Sequence, residues 1–295
     1  MILRTDLAVE SEGCRCGSMK GVEREEYVSG GIRVTRITIK DDSASSAIGK
    51  PKGRYITADG LDMTDTPGDE REHIGLAARE LQSLLPDKEG TVLVVGLGNR
   101  DITPDALGPK SIDHILATRH IKGELKKSSG LSALKSVAAV SPGVLGQTGI
   151  EAAEFITGIV NRIKPCAVIA VDALASRSLA RLGRTIQLSD TGISPGSGVG
   201  SRRLTLNEKT LGVPVIAFGV PTVVDAATLA YDILGIDDTD LASEQIEAVI
   251  QGRRMFVTPK ETDLLTDRAA RLAGMAINCA LQPDIDLDTL ISLVS

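Results

Sequence analysis

Histidine and cysteine are scarce in this chain, three and four respectively in 295 residues. His73, His114 and His120 follow no ligand spacing, and the six-residue gap between His114 and His120 takes them off one helical face. Cys14 and Cys16 form a C-x-C, but no second Cys or His pair stands at zinc-ligand spacing. So few cysteines exclude a disulfide framework and fit a reducing compartment inside the cell. No apolar run approaches ~18 residues, so no membrane-spanning helix is expected. Met1-Ile2-Leu3-Arg4-Thr5-Asp6 lacks the apolar stretch of a signal peptide. Positive charge is also in deficit, with a net charge of -6. That balance argues against nucleic acid or an anionic membrane as a direct partner and permits a neutral or cationic polypeptide.

Familiar catalytic signatures are missing as well. No G-x-x-x-x-G-K-[ST] occurs, and Asp101 stands where a dinucleotide fingerprint begun by Gly96-Leu97-Gly98 needs its third glycine. Gly192-Ile193-Ser194-Pro195-Gly196 matches G-x-S-x-G, yet proline follows the serine and all three histidines precede it, the wrong order for an α/β-hydrolase triad. Asp190-Thr191-Gly192 is a single pepsin-like D-T-G in a chain whose pattern is not all-β. No cofactor and no metal site are expected.

What is present is a 42% hydrophobic composition, enough for a sizeable core. Val92-Leu93-Val94-Val95 and Ala167-Val168-Ile169-Ala170-Val171 are continuous apolar runs, the mark of strands buried on both faces. Further strands are predicted over 136–140, 185–188 and 213–218, and a strand-like alternation covers 34–39. Amphipathic helices fit 74–85, 109–119 and 150–163. A last helix to residue 281 would open on the capping box Thr258-Pro259-Lys260-Glu261. Strands alternating with helices predict an α/β fold, a mainly parallel sheet with helices on both faces. Residues 7–73 read as a polar N-terminal extension packed on an α/β catalytic domain over 74–295, and 237–251 as a surface connection.

In open α/β sheets, sites form beyond the carboxyl ends of the strands. If the strands are parallel, the loops after them gather Asp101, Asp105, Asp172, Asp190 and Asp225 at one edge. Most such carboxylates serve as caps or turn formers, and Asp190 and Asp225 fit that role. Asp105 and Asp172 suit a site better. Thr103 and Pro104 read as N-cap and first helical position, placing Asp105 in a first turn where the helix dipole favours its charge. Asp172 directly follows five apolar residues, where burial favours its protonated form. Two carboxyls in opposed environments make an acid/base pair, Asp105 as base and Asp172 as acid. Gly196, Gly198 and Gly200 serve either as turn formers or as places where a substrate backbone approaches closely.

These loops resemble those of the germination protease family. The resemblance is carried by Arg4-Thr5-Asp6-Leu7-Ala8-Val9-Glu10, Ile48-Gly49-Lys50 with Gly53-Arg54-Tyr55, Val94-Val95-Gly96-Leu97-Gly98-Asn99, residues 103–110, Thr118-Arg119-His120, residues 142–151, Asp172-Ala173-Leu174-Ala175, residues 189–200 and 219–226, and Val257-Thr258-Pro259-Lys260. It implies an atypical aspartic-type endopeptidase similar in fold to hydrogenase-maturation proteases, with Asp105 and Asp172 as its essential pair. It further implies a homotetrameric zymogen of the spore core that removes its own N-terminal peptide and degrades small acid-soluble spore proteins at germination. Cleavage in the family follows an acidic residue, in sites like Thr-Glu-(Phe/Leu/Ile)-Ala. Arg4-Thr5-Asp6-Leu7-Ala8 is similar, so the implied self-cleavage bond is Asp6–Leu7 and the implied propeptide is 1–6. That propeptide is short for the family, and the segment after Tyr231 lacks a large insertion. Two other readings stay open: a metalloprotease using the same carboxylates, with His120 as a third ligand, and a non-catalytic spore-protein-binding protein.

Overall fold

The computed structural model describes residues 5–11, 19–61, 63, 70–121, 134–194, 204–226, 228–229 and 255–294. Their strands form one mixed sheet: β1 (Val22–Ser29), β2 (Ile32–Ile39), β3 (Gly53–Asp59), β4 (Val92–Gly96), β5 (Val137–Val140), β6 (Ala167–Ser176), β7 (Thr185–Ser189), β8 (Val215–Asp225) and β9 (Phe256–Val257). The order across it is β1-β2-β3-β7-β8-β6-β4-β5, with β9 paired to the end of β8.

The expectation of a mainly parallel sheet is corrected. Parallel pairing is confined to β8-β6-β4-β5. The other five pairings are antiparallel. The reason lies in residues 22–59, which carry three strands and continue the sheet through β3–β7. Gly30 and Gly31 close the β1–β2 hairpin, both at positive φ (55° and 80°), which the favoured two-residue turns ask of their central residues.

Helices do cover both faces. The apolar runs explain this, because alternate residues of a doubly buried strand feed opposite cores. Val92 and Val94 enter one core, covered by α2 (Glu70–Leu84), α3 (Leu107–Ile112), α5 (Thr262–Leu281) and α6 (Leu287–Val294). Leu93 and Val95 enter the other, covered by α1 (Asp42–Ile48) and α4 (Ala152–Ile163). No helix among the described residues is long and apolar enough to cross a membrane.

Local differences have tertiary causes. The helix predicted over 109–119 stops at Ile112. Beyond it, Asn278 of α5 takes the Leu116 N–H (2.9 Å) and donates to the His114 carbonyl (2.8 Å), while the Val137 carbonyl takes the Thr118 N–H at 3.0 Å. The predicted capping box does not form either. α5 begins at Thr262 behind Glu261, whose side chain makes no cap bond. β6 and β8 outrun their predicted ends, because each supplies the other's backbone partners past the end of β4. Asp172 therefore stands inside a strand rather than in a loop.

Candidate functional site

The site begins as a row across three strands. Asp172 of β6 pairs in register with Gly219 of β8, and Gly219 pairs with Gln187 of β7. Strands lie ~4.8 Å apart, so the two polar residues stand ~10 Å apart with a glycine between them. Ile186 and Leu188 enter one core, so Gln187 faces the other side, as does Leu174, two residues beyond Asp172. Both Asp172 (5% exposed) and Gln187 (7%) are buried. With no side chain at Gly219, a cavity of about 210 Å³ opens between them, and Asp6, Lys50 and Tyr55 also line it. A Cβ on Gly219 would lie 2.4 Å from Leu174 Cδ1.

Lys50 is placed by the end of α1. Asp41 caps that helix by accepting the Ala44 N–H, and Gly49 ends it in the left-handed region at φ 72°. The Ser45 hydroxyl then donates to the Lys50 carbonyl (2.7 Å), and the Tyr55 hydroxyl to the Pro51 carbonyl (2.9 Å). Lys50 Nζ is thereby directed at the N-terminal segment, donating to the carbonyls of Thr5 (3.2 Å) and Asp6 (2.9 Å).

That segment is built into the site rather than draped over it. The Asp6 N–H donates to the Ala175 carbonyl (2.9 Å), and the Ala175 N–H donates to Asp6 Oδ2 (2.8 Å). Gln187 Nε2 donates to the Asp6 carbonyl at 3.0 Å, while its Oε1 accepts the Ala8 N–H at 2.7 Å. Leu7 and Ala8 are wholly buried. Glu10 anchors the far end, accepting from the Arg177 and Ser178 N–H groups (2.6 and 3.1 Å), from Arg181 Nη1 (3.0 Å) and from the Thr5 hydroxyl. Burial opposes the charge on Arg181, but Asp59 and Glu10 outweigh it and hold its pKa above the usual value.

Asp105 lies at the end of the neighbouring strand. It closes a 3-10 turn, Thr103–Asp105, whose N-cap is Ile102, not Thr103. The Thr222 hydroxyl fixes this turn by donating to the Pro104 carbonyl (2.7 Å). Asp105 Oδ2 accepts the Asn99 N–H at 2.8 Å. Gly98, at φ 115°, permits that approach, since a Cβ there would fall 2.0 Å from the Asp105 carbonyl oxygen. The Leu97 N–H donates to the Val171 carbonyl (2.8 Å), which ties this loop to the residue before Asp172. Asp172 thus comes from the middle of β6 and Asp105 from the turn that follows the adjacent parallel strand β4. Asp172 lines the cavity, whereas Asp105 is not among its lining residues.

The other predicted carboxylates do not join them. Because β7 runs antiparallel to β8, Asp190 leaves the sheet near the start of β8, where it pairs with Arg54 (2.8 Å). Asp225 lies at the far end of β8 and accepts the Thr228 N–H (3.2 Å). Asp101 is exposed and accepts from Gln147 Nε2 (2.8 Å). Gly196, Gly198 and Gly200, with Cys14 and Cys16, lie outside the described residues. Among the described residues, no three of His, Cys, Asp and Glu converge in a way that could hold a metal ion. His114 sits away from the cavity, with burial first and the nearby Arg271 cation next lowering its pKa. Lys50, Gln187, Ala175 and Gly219 were not legible as a site from spacing. The usable signal was Gln187, a lone amide between Ile186 and Leu188 in a buried strand.

A germination protease family model matches residues 4–238. The chain belongs to the germination protease family. Its relatives include a germination protease of Clostridium tetani, 44% identical with all of both chains covered. That of Caldanaerobacter subterraneus subsp. tengcongensis is 44% identical, covering 96% of this chain and 95% of its own. That of Priestia megaterium is 34% identical with the same coverage. Membership of the germination protease family indicates a peptidase acting in spore germination.

Proposed function

We propose that this chain is a self-processing, aspartic-type endopeptidase of the spore core that degrades small acid-soluble spore proteins at germination, cutting after an acidic residue. Its own first cut is at Asp6–Leu7, releasing residues 1–6, and it assembles as a homotetramer. One observation carries this reading: the acidic residue of the self-site, Asp6, lines the same cavity as Asp172.

Asp105 and Asp172 act as an acid/base pair. The ionised member takes a proton from water while the water oxygen bonds to the Asp6 carbonyl carbon. The protonated member gives its proton to the Leu7 nitrogen as the C–N bond breaks, leaving a carboxylic acid at Asp6 and an amine at Leu7. The proton balance belongs to the pair rather than to either residue. Gly196, Gly198 and Gly200 admit the substrate backbone.

The test is N-terminal sequencing of the purified chain and of its Asp105→Asn and Asp172→Asn variants, with and without a chelator. The wild type should acquire Leu7 as its first residue, and each variant should keep Met1. Near wild-type cutting by either variant would sink the pair. Loss of cutting on chelation would move the chemistry to a metal, and an uncut wild type would leave only a binding protein.

A further inference from the structure

The geometry points to Lys50 and Gln187 as the groups that hold the carbonyl oxygen of the bond being cut and stabilise the negative charge it acquires. This rests on the proposed function, since it takes Asp6–Leu7 as the scissile bond. Two donors already converge on the Asp6 carbonyl oxygen, Lys50 Nζ at 2.9 Å and Gln187 Nε2 at 3.0 Å. When the water oxygen adds to the carbonyl carbon, the electron pair of the C=O bond moves onto this oxygen. It returns when the C–N bond breaks and the nitrogen takes its proton. Preorganised donors aimed at that oxygen act where charge develops, and they gain strength from a site shielded from water. A lysine contributes a full positive charge at the point where a neutral oxygen becomes an anion.

Gln187 does more than donate. Its amide straddles the bond, giving its N–H to the Asp6 carbonyl and taking the Ala8 N–H on its oxygen at 2.7 Å. The two contacts hold the peptide units on either side of Leu7, the first of them the Asp6–Leu7 peptide itself. The clamp is rigid because Gln187 sits in mid-strand, paired to Gly219 on one side and Thr57 on the other. Lys50 is held by the helix end and the Ser45 bond to its own carbonyl. The same geometry holds the residue before the cut. The Ala175 N–H donates to Asp6 Oδ2 at 2.8 Å while the Ala175 carbonyl accepts the Asp6 N–H at 2.9 Å.

The experiment follows self-cleavage of the full chain and turnover of a trans peptide bearing Thr-Asp-Leu-Ala, in Lys50→Met, Lys50→Arg and Gln187→Leu. Removal of one such donor lowers kcat by roughly 10²–10³. KM should change far less, and Lys50→Arg should recover part of the loss. A peptide whose scissile C=O is replaced by CH₂ serves as the second measurement. It lacks the Asp carbonyl oxygen but keeps the Thr carbonyl, to which Lys50 also donates, so Lys50→Met should bind it only slightly more weakly than wild type, a loss far below that in kcat, which also certifies a folded site. If Lys50→Met and Gln187→Leu keep wild-type kcat, or if the loss lies in KM and in binding of the CH₂ peptide, the assignment is overturned. An inactive wild type overturns the functional reading instead and removes the scissile carbonyl on which this assignment depends.

Discussion

Glu10→Gln is the sharpest test of how the N-terminal segment is held. Glu10 is 2% exposed, and every group facing it is a donor: the Arg177 and Ser178 N–H groups, Arg181 Nη1 and the Thr5 hydroxyl. Two of them meet Oε1 and two meet Oε2. Glutamine keeps the shape but turns one of those oxygens into an NH₂; with that NH₂ toward Thr5, whose hydroxyl can turn to accept, the Arg177 N–H is left facing a donor and the other contacts lose their charged partner. Hydrogen bonds to a charged group are each worth ~1.5–3 kcal/mol and neutral ones about 1 less, which puts the lost Arg177 bond and the weakening of the others together at ~3–6 kcal/mol. Arg181 retains Asp59 at 3.1 Å, so its guanidinium is not orphaned, and the lower end applies. The expected loss is about 3 kcal/mol of unfolding free energy. Urea unfolding measures it, on chains whose N-terminus is confirmed by mass spectrometry, and hydrogen exchange at residues 5–11 should rise in parallel. A loss below about 1 kcal/mol, no more than one neutral hydrogen bond, would refute the network as drawn.

Other outcomes are as definite. Gly219→Ala should keep the fold within ~1–3 kcal/mol, because Leu174 must give way to a Cβ 2.4 Å from its Cδ1. It should nonetheless cut peptide cleavage about tenfold or more by filling the cavity, a barrier change of ~1.4 kcal/mol; unchanged kcat/KM would refute this. Tyr27, donating to Glu80 at 2.6 Å, has its pKa pushed up to about 12, by burial first and by that bond second. A spectrophotometric titration should resolve one late tyrosine, and Tyr27→Phe should abolish it. For His114 the folded pKa lies below its ordinary 6.5, so the unfolded chain binds the proton more readily. Its contribution to stability is full above 6.5 and is lost as pH falls toward the lowered value. His114→Asn should flatten that part of the stability curve, and an unaltered slope would show that burial does not matter there.

The central part of the fold was legible because its strands are doubly buried, so their apolar runs advertise them without help from neighbours. The edge was harder. β1 reads Val22-Glu23-Arg24-Glu25-Glu26-Tyr27, a half-exposed strand rich in charge, and only Gly30-Gly31 marks its hairpin. Missing β3 hid the antiparallel half of the sheet, and with it the direction of β7. That reversal carries Asp190 to the opposite end of the sheet from the other four aspartates. For the site, Asp105 and Asp172 stood out by following apolar runs; Asp172 lies within β6, and Asp105 in the turn after its neighbour β4. Lys50 and Gln187 gave weaker signals. Lys50 is tied to residues 44 and 45 positions back and Gln187 to residues 179 and 181 positions away, contacts that local patterns do not encode.

The row Asp172–Gly219–Gln187, with Lys50 and Asp6 closing over it, has a consequence in time. Its members are drawn from widely separated stretches of the chain, and β3, already paired with β2, finds its second partner only when β7 has been made. A ribosome-bound chain that has not yet released residue 219 has no such chamber, however well its first hairpins have formed. Whatever bond is broken there is broken late, so removal of the leading residues would act as a receipt for completed folding.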